Sequence, residues 1–239
     1  MPHHSAPLTP RPSPLTPHAF AWDQVDDVLL DMDGTLLDRH FDNFFFEEEL
    51  PRRYAAKHGL AVEDAAERLL TMYRAVEGEL NWTDLHYWSK TLEIDVVALT
   101  KELEHLITCH PDTMEFLRHL RERGKRVHVL TNAHAAGVEI KMARTRIDRY
   151  VDRIVNAFEV GHLKTRSEYW PTCQRLLGFK PSRSLYVDDD EACLAAAQQY
   201  GIGYLYHRSK SSSRLPAQPS SRYVSIESLH ALLALGDRL

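Results

Sequence analysis

The chain has 239 residues, of which 44% are hydrophobic and 26% are charged, a balance typical of globular proteins. This length is enough for one large domain or two modest ones, and the composition excludes wholesale disorder and collagen-like repeats. With 34 acidic and 29 basic residues the net charge is −5, which argues against a protein that binds nucleic acid by charge. No apolar run approaches the ~18 residues that a membrane-spanning helix requires. The three cysteines form no CxxC pair, so we expect a cytoplasmic protein without disulfides or a cysteine-ligated zinc.

Two segments of the chain have the composition of irregular structure. Residues 1–20 are rich in Pro, His, Ser and Thr and lack a secretory h-region, which predicts a disordered tail. The stretch from Arg208 to Ser221 is dominated by Ser and Pro and predicts a surface loop.

Between these segments, short apolar runs alternate with stretches of helical periodicity. This alternation predicts βαβ units and an α/β fold, a doubly wound and mostly parallel Rossmann-like sheet. Core helices are predicted around Met114–Leu120 and Ala192–Tyr200, and Pro171 leaves the start of a third helix open. The predicted strands are Val28–Leu30, Arg126–Leu130, Arg153–Phe158, Ser184–Val187 and Ile202–Tyr206.

The spacing between the first two strands is too long for a simple crossover. About 95 residues separate Asp31 from Arg126, whereas a crossover needs little more than a dozen. We therefore predict that residues 41–110 form an all-α cap, and that residues 21–40 and 111–239 form the core. An insert at this point faces the carboxyl ends of the strands, where open α/β sheets bind ligands. The predicted cap helices are Glu47–His58, Val62–Leu80, Leu85–Lys90 and Val96–Leu106.

Paired carboxylates follow the first and fourth predicted strands. Asp31 and Asp33 precede Gly34, where a turn lets both carboxylates face one pocket, and such a pair suits a nucleophile beside a general acid/base. A solvated Asp-Gly turn is the plainer alternative for this motif taken alone. The triplet Asp188-Asp189-Asp190 is costly by repulsion unless a cation sits among its members, and its hard oxygen ligands favour Mg²⁺. The alternative for the triplet is an acidic turn that caps the following helix.

Polar residues also follow the second and third predicted strands. Thr131 and Asn132 stand at a helix start, where backbone N–H groups bind anions, although a plain helix cap explains them equally well. Lys164 offers a cation that can balance phosphate charge, or it is an ordinary surface lysine. Four polar groups in this order, each following a predicted strand, are hard to explain as independent coincidences.

Taken together, these groups resemble the four motifs of the haloacid dehalogenase-like phosphohydrolase superfamily over residues 23–235, with its helical cap after the first strand. The resemblance implies that Asp31 is the nucleophile and a Mg²⁺ ligand. It implies that Asp33 is the acid/base and binds the metal through its backbone carbonyl. In the acidic triplet, Asp189 aligns best with the metal ligand of the superfamily, and Asp188 is implied to be a second ligand or a residue that contacts the ligands. Asp190 stands where many relatives have a small hydroxyl residue.

The resemblance further implies that Thr131 and Asn132 bind phosphate oxygens and that Lys164 balances charge. Relatives usually carry a proline beside this lysine, whereas the chain reads His-Leu-Lys-Thr, so Lys180 and Arg166 stay open as substitutes.

Within the superfamily, the chain is similar to bacterial GMP/IMP nucleotidases. The similar runs are Val28 to Asp38, Phe41-Asp42-Asn43, Leu80-Asn81-Trp82, Tyr87-Trp88-Ser89 and Leu130 to His134. This similarity implies a small phosphomonoester substrate, a purine mononucleotide, whose base contacts cap residues. The candidates are Asn43, Trp82, Tyr87 and Trp88, although aromatic residues at helical spacing more often form cap core.

Other activities of the same core compete with this interpretation. An acid/base such as Asp33 is typical of phosphatases and phosphomutases, and its presence disfavours dehalogenases and P-type ATPases. A sugar-phosphate phosphatase or a phosphomutase stays open. A catalytically idle binding module is a further alternative, although every candidate position carries a competent side chain.

Overall fold

A single six-stranded sheet, parallel throughout, organises the part of the chain that the computed structural model describes, residues 20–237. Its strand order is β3-β2-β1-β4-β5-β6, so the first strand lies near the middle of the sheet. This order confirms the predicted doubly wound, Rossmann-like α/β fold. The strands are β1 (Asp27–Leu30), β2 (Arg126–Thr131), β3 (Arg153–Asn156), β4 (Ser184–Asp188), β5 (Tyr204–Arg208) and β6 (Val224–Ile226).

The sheet is buried on both faces because alternate residues of its strands pack into two separate cores. Val28 and Leu30 of β1 join a large core that extends to the helix Thr113–Glu122 and to the helices after β1. Leu29, between them, packs into a second core together with Tyr186 and Trp170. This period-two division explains why the strands read as continuous apolar runs.

Helices cover both faces of the sheet and fill the connection from β1 to β2. Within residues 20–237, no helix is both long and apolar enough to cross a membrane. The helices of that connection are α1 (His40–Phe44), α2 (Leu50–His58), α3 (Val62–Ala75), α4 (Leu85–Leu92) and α5 (Val96–Glu102). The later helices are α6 (Thr113–Glu122), α7 (Ala135–Thr145), α8 (Ala157–Val160), α9 (Tyr169–Leu177), α10 (Glu191–Tyr200) and α11 (His230–Gly236).

Several boundaries differ from the sequence prediction for local reasons. The third strand ends at Asn156 rather than Phe158, because the Asn156 side chain accepts the N–H groups of Phe158 and Glu159 and caps α8. Helix α3 ends at Ala75 rather than Leu80, shortly before Gly78 adopts a positive φ of 80°. The sequence pattern does not predict strand β6, which is only three residues long.

The helical segment begins with a wider turn that the apolar pattern does not show. Residues 45–49 form a π-helical turn between α1 and α2, and Pro51 follows it in the first turn of α2. A π turn inserts an extra residue into the helix and frequently marks a functional site. Three residues of this turn, Phe45, Phe46 and Glu47, line the same cavity as the strand-end carboxylates.

Two predicted irregular segments need correction or fall outside the description. Residues 1–19 of the predicted tail lie outside the described residues, but Phe20 is fully buried and packs edge-on against Trp22 and Tyr206. Arg208 belongs to β5 rather than to a surface loop, and it is buried against Asp112.

The Arg208–Asp112 pair joins β5 to the start of α6. The two guanidinium nitrogens donate to the carboxylate at 2.8 and 3.2 Å, and Ser228 donates to it at 2.8 Å. Burial raises the pKa of Asp112, but the hydrogen bonds and charge of Arg208 outweigh it and lower that pKa to about 2. The carboxylate is therefore strongly stabilised in its ionised form.

We predict that Asp112→Asn lowers the free energy of unfolding by about 3–5 kcal/mol, because it leaves the Arg208 charge buried and unpaired. Urea unfolding at neutral pH measures this loss. The exposed control Asp148→Asn should change stability by less than about 0.5 kcal/mol. Because the folded-state pKa lies below the ordinary 3.8, the contribution of the pair is present above about pH 4 and disappears as pH falls towards 2. Equal stability of Asp112→Asn and wild type at pH 7 would contradict this account.

Candidate active site

The strand-end side chains converge because the three strands that carry them are neighbours. Strands β2, β1 and β4 lie side by side, and all three run in the same direction. The N–H of Asp31 donates to the Val187 carbonyl at 2.9 Å, which places the carboxyl end of β1 beside Asp188. Thr131 ends β2 on the other side. The structure thus brings together residues that are more than 150 positions apart in sequence.

A buried lysine joins two of these carboxylates. The Lys164 ammonium donates to Oδ1 of Asp31 and, at 2.7 Å, to Oδ2 of Asp188. Its backbone N–H donates to Oδ1 of Asn132 at 2.9 Å, and its carbonyl accepts the indole N–H of Trp170 at 3.0 Å. Lys164 is only 1% exposed. Its main chain and its side chain are therefore both fixed in the site.

The two substitute cations are not in the site. Lys180 is exposed, and the guanidinium of Arg166 donates to the Gly78 carbonyl at 3.3 Å. Neither residue lines the cavity that contains Lys164. The missing proline beside Lys164 therefore does not displace the lysine from the position expected for it.

Burial dominates the ionisation of this cluster. It raises the pKa of Asp31 well above its usual range; Lys164 opposes the shift, while Asp188 and Asp189 reinforce it. Burial also raises the pKa of Asp189 to about 6, against the opposing charge of Arg39. Burial lowers the pKa of Lys164, but Asp188 and Asp31 outweigh it and raise that pKa well above the ordinary value. The lysine is therefore charged. The positive charges of Lys164 and Arg39 do not offset the effect of burial on the carboxyl groups of Asp31 and Asp189.

The carboxylates form a group that fits a small hard cation. One oxygen from each of Asp31, Asp188 and Asp189 lies within 4.8 Å of the others. Oδ2 of Asp31 is buried and has no hydrogen-bond partner among residues 20–237. Oxygen ligands without histidine or cysteine are the set that Mg²⁺ prefers. Asp190 also lines the cavity but is not part of this group, and its side chain accepts the N–H of Ala192 and caps α10.

Three contacts hold Asp189 in place, and the sequence revealed none of them. Nη1 of Arg39 lies 2.7 Å from its carboxylate, and Nε2 of His207 lies 3.1 Å from its carbonyl oxygen. Gly34 packs closely against the same carboxylate, since a Cβ at this position would lie 2.3 Å from Oδ2 of Asp189. The φ of Gly34 is +97°. Glycine at position 34 is therefore needed for both backbone conformation and space.

A second buried lysine contacts Asp33. Nζ of Lys141, on α7, lies 2.7 Å from Oδ1 of Asp33 and 2.8 Å from Oδ1 of Asp42 on α1. Neither Lys141 nor Asp42 was among the predicted site residues. Burial raises the pKa of Asp42 to about 6, and the nearby charge of Asp33 adds to this shift. A lysine within an amphipathic helix is usually a surface residue, so the sequence pattern did not indicate that Lys141 belongs to the site.

Thr131 and Asn132 lie at the edge of the same site. The Thr131 hydroxyl accepts the N–H of Ala133 at 3.0 Å, which leaves its hydrogen to donate. The Asn132 oxygen is occupied by Lys164, and its amide NH₂ makes no hydrogen bond within the described part of the chain. The Asn132 carbonyl accepts the hydroxyl of Thr83 at 2.6 Å, which links the helical segment to the sheet.

A cavity of about 600 Å³ extends from the carboxylates into the helical segment. Its volume lies within the 300–1,000 Å³ typical of small-molecule sites. Asp31 and Lys164 line it together with the other strand-end polar residues and with a set of aromatic and aliphatic side chains. Its other lining residues include Asn43, Phe45, Phe46, Glu47, Leu69, Leu70, Tyr73 and Trp82.

The cavity separates the four predicted base-contact residues into two pairs. Asn43 and Trp82 line it, and the Trp82 side chain is 38% exposed. Tyr87 and Trp88 are not among the residues that line it, so the cavity gives their predicted contact with substrate no support. Trp88 is 1% exposed and donates its indole N–H to the Trp82 carbonyl at 3.0 Å. Trp88 thus belongs to the helical core and supports the turn that presents Trp82.

Comparison with known proteins agrees with this geometry. The family model for haloacid dehalogenase-like hydrolases matches residues 25–201. The chain is 36% identical over 214 residues to the GMP/IMP nucleotidase YrfG of Escherichia coli (strain K12), covering 90% of this chain and 96% of that protein. It is 22% identical to the pyrophosphatase PpaX of Bacillus cereus (strain AH820), covering 74% of this chain and 81% of that protein.

The fold also matches solved structures of this kind. The crystal structure of a HAD phosphatase from Thermococcus onnurineus superposes with a TM-score of 0.73 and 22% identity, covering 90% of this chain and all of that one. The family match covers well over half of the chain and includes both clusters of strand-end carboxylates. The chain therefore belongs to the haloacid dehalogenase-like hydrolases and is a phosphatase.

Proposed function

We propose that the protein hydrolyses purine 5′-mononucleotides through an aspartyl-phosphate intermediate formed on Asp31, with Mg²⁺ as cofactor. The observation that carries this proposal is the position of Asp31. Its carboxylate lines a nucleotide-sized cavity, is paired with Lys164 and is grouped with Asp188 and Asp189. A nucleophile held between a fixed cation and a potential metal site suits phosphoryl transfer, which depends on positioning and charge stabilisation.

In the first step, an oxygen of Asp31 attacks phosphorus and forms a P–O bond. The bond from phosphorus to the ester oxygen breaks, and Asp33 gives its proton to that oxygen as the nucleoside leaves. In the second step, Asp33 takes a proton from water while the water oxygen attacks the phosphoryl group. The bond between phosphorus and the Asp31 oxygen breaks, inorganic phosphate leaves, and Asp31 regains its carboxylate.

Fixed groups around Asp31 supply the charge that this reaction needs. Lys164 would stay protonated throughout, because its two carboxylate partners stabilise the ammonium. The Thr131 hydroxyl and the Asn132 amide are the donors left to bind non-bridging phosphate oxygens. Mg²⁺, held by Asp31, Asp189 and Asp188 and by the Asp33 carbonyl, would neutralise phosphate charge and polarise the phosphoryl group.

The cap, which we propose to be residues 41–110, determines the substrate. Trp82, Tyr73 and Phe46 all line the cavity, Tyr73 packs edge-to-face against both of the others, and together they offer an aromatic wall on which a base can stack. Asn43 adds an amide that can hydrogen-bond to the base. The 36% identity to a GMP/IMP nucleotidase over nearly the whole chain supports a purine nucleotide over a sugar phosphate.

We predict that Asp31→Asn lowers kcat by at least about a thousandfold, because loss of a covalent nucleophile is not compensated by the rest of the site. Release of inorganic phosphate from inosine 5′-monophosphate measures the loss. Asn has the same shape as Asp, so circular dichroism and thermal unfolding should show a folded protein. More than a tenth of wild-type activity in Asp31→Asn would contradict covalent catalysis by this residue.

Metal dependence gives a second prediction, which also separates Asp189 from Asp190. EDTA should abolish activity and Mg²⁺ should restore it. Asp189→Asn should raise the Mg²⁺ concentration for half-maximal activity at least about tenfold, because it removes a ligand charge. Asp190→Asn is the matched control and should leave that concentration within about twofold, since Asn also caps a helix. Equal effects of the two substitutions would place the metal elsewhere.

A panel of phosphate esters tests the substrate. We expect GMP and IMP to exceed sugar phosphates in kcat/KM. Trp82→Ala should raise KM for IMP about tenfold, because base stacking on an aromatic ring contributes about 1–3 kcal/mol. The same change should leave KM for phenyl phosphate within about threefold, and Leu176→Ala, an exposed residue of α9, is the control. Sugar phosphates hydrolysed faster than any nucleotide would overturn the substrate assignment.

A further inference from the structure

Lys141 is a buried cation that the proposed reaction does not yet use. It is 4% exposed, lies on α7, and is separate from the four motifs that identify the family. Its ammonium donates to Oδ1 of Asp33 at 2.7 Å and to both carboxylate oxygens of Asp42, at 2.8 and 3.2 Å. A buried ammonium costs several kcal/mol unless it is paired, and here two carboxylates from different elements pair with it.

The contacts fix the ammonium from several sides. Nζ of Lys141 also lies 5.6 Å from the centre of the Phe41 ring, within cation–π range. Burial lowers the pKa of Lys141, but the charges of Asp33 and Asp42 outweigh it and raise that pKa above its ordinary value. Two carboxylates and an aromatic ring thus surround a hydrogen-bond donor that lies beside Asp33.

This arrangement assigns different roles to the two oxygens of Asp33. Lys141 occupies Oδ1, whereas Oδ2 has no hydrogen-bond partner within the described residues. An acid/base must present one oxygen to the leaving group, and hydrogen bonding of the other oxygen sets its direction. We infer that Lys141 is a positioning residue that holds Oδ1 of Asp33 and thereby aims Oδ2 at the ester oxygen of the substrate.

Asp42 extends the role of Lys141 to the helical segment. It lies on α1, the first helix after β1, and its carboxylate pairs with the same ammonium that donates to Asp33. The orientation of the acid/base thus depends on the seating of α1, whose continuation as a π turn lines the cavity. The competing role for Lys141 is direct binding of the substrate phosphate, since it also lines the cavity.

The inference rests on the proposed aspartyl-phosphate reaction, and the dependence of rate on the leaving group separates the two roles. Protonation by Asp33 matters for a poor leaving group such as phenol and little for the weakly basic 4-nitrophenol. Kinetics on substituted phenyl phosphates, compared as kcat/KM, reports the step in which that group leaves. A phosphate-binding lysine would instead affect all these esters equally.

We predict that Lys141→Met lowers kcat/KM about tenfold or more for phenyl phosphate and less than about threefold for 4-nitrophenyl phosphate, since general acid catalysis contributes about 10²–10⁴-fold. Lys141→Arg should recover part of the loss. Lys90→Met, an exposed lysine of α4, is the matched control and should change neither value. A uniform loss across the series would overturn the inference in favour of phosphate binding.

Combination with Asp33→Asn tests whether Lys141 acts through Asp33. If it does, adding Lys141→Met to Asp33→Asn should lower kcat/KM for phenyl phosphate, the ester on which Lys141→Met alone has its large effect, less than about twofold further. Multiplied losses in the double variant would overturn the inference. A crystal structure of Lys141→Met is a readout without catalysis: the Asp33 carboxylate should rotate, and an unchanged carboxylate would overturn the inference whatever the substrate. The loss in Asp31→Asn tests the proposed function separately.

Discussion

The contact of one buried lysine with two buried carboxylates is the constraint on which the site depends. Lys164, Asp31 and Asp188 are all at most 5% exposed, so none of their charges is balanced by water. Removing either carboxylate would leave an ammonium with half its compensation, and removing the lysine would leave adjacent carboxylates in repulsion. With Arg39 on Asp189, three carboxylates face only two cations. The remaining negative charge is what a divalent ion would neutralise.

The fold supplies this contact through strand order. A crossover from β1 to β2 on one side and a second unit ending in β4 on the other place β1 between them, so polar ends of three strands meet. The long helical segment between β1 and β2 then covers the same edge. Thr83 bonds the Asn132 carbonyl, and Asp42 bonds Lys141, so this segment contacts the site at two points. In the function that we propose, chemistry and substrate selection are therefore assigned to different parts of the chain.

The parallel sheet and the strand-end residues of the site could be predicted from the sequence, because the strands and their polar ends have strong local patterns. Apolar runs ending at Asp31, Thr131 and Asp188 predicted both the parallel sheet and the convergence of these residues. Side chains that join the site from within helices or loops, such as Lys141 and Arg39, carry no such signal, because their burial depends on tertiary packing. For the same reason Trp82 and Trp88 looked equivalent in sequence, yet only Trp82 lines the cavity.

The most direct test of the account is whether a phosphoryl group becomes attached to Asp31 during turnover. Rapid mixing of enzyme, Mg²⁺ and IMP, followed by acid quenching and peptide mass spectrometry, detects this intermediate. The account predicts one added phosphoryl group on the peptide that contains Asp31, and none when Asp33 alone is available in Asp31→Asn. Phosphate release without any phosphorylated peptide, or a phosphoryl group on another residue, would contradict it.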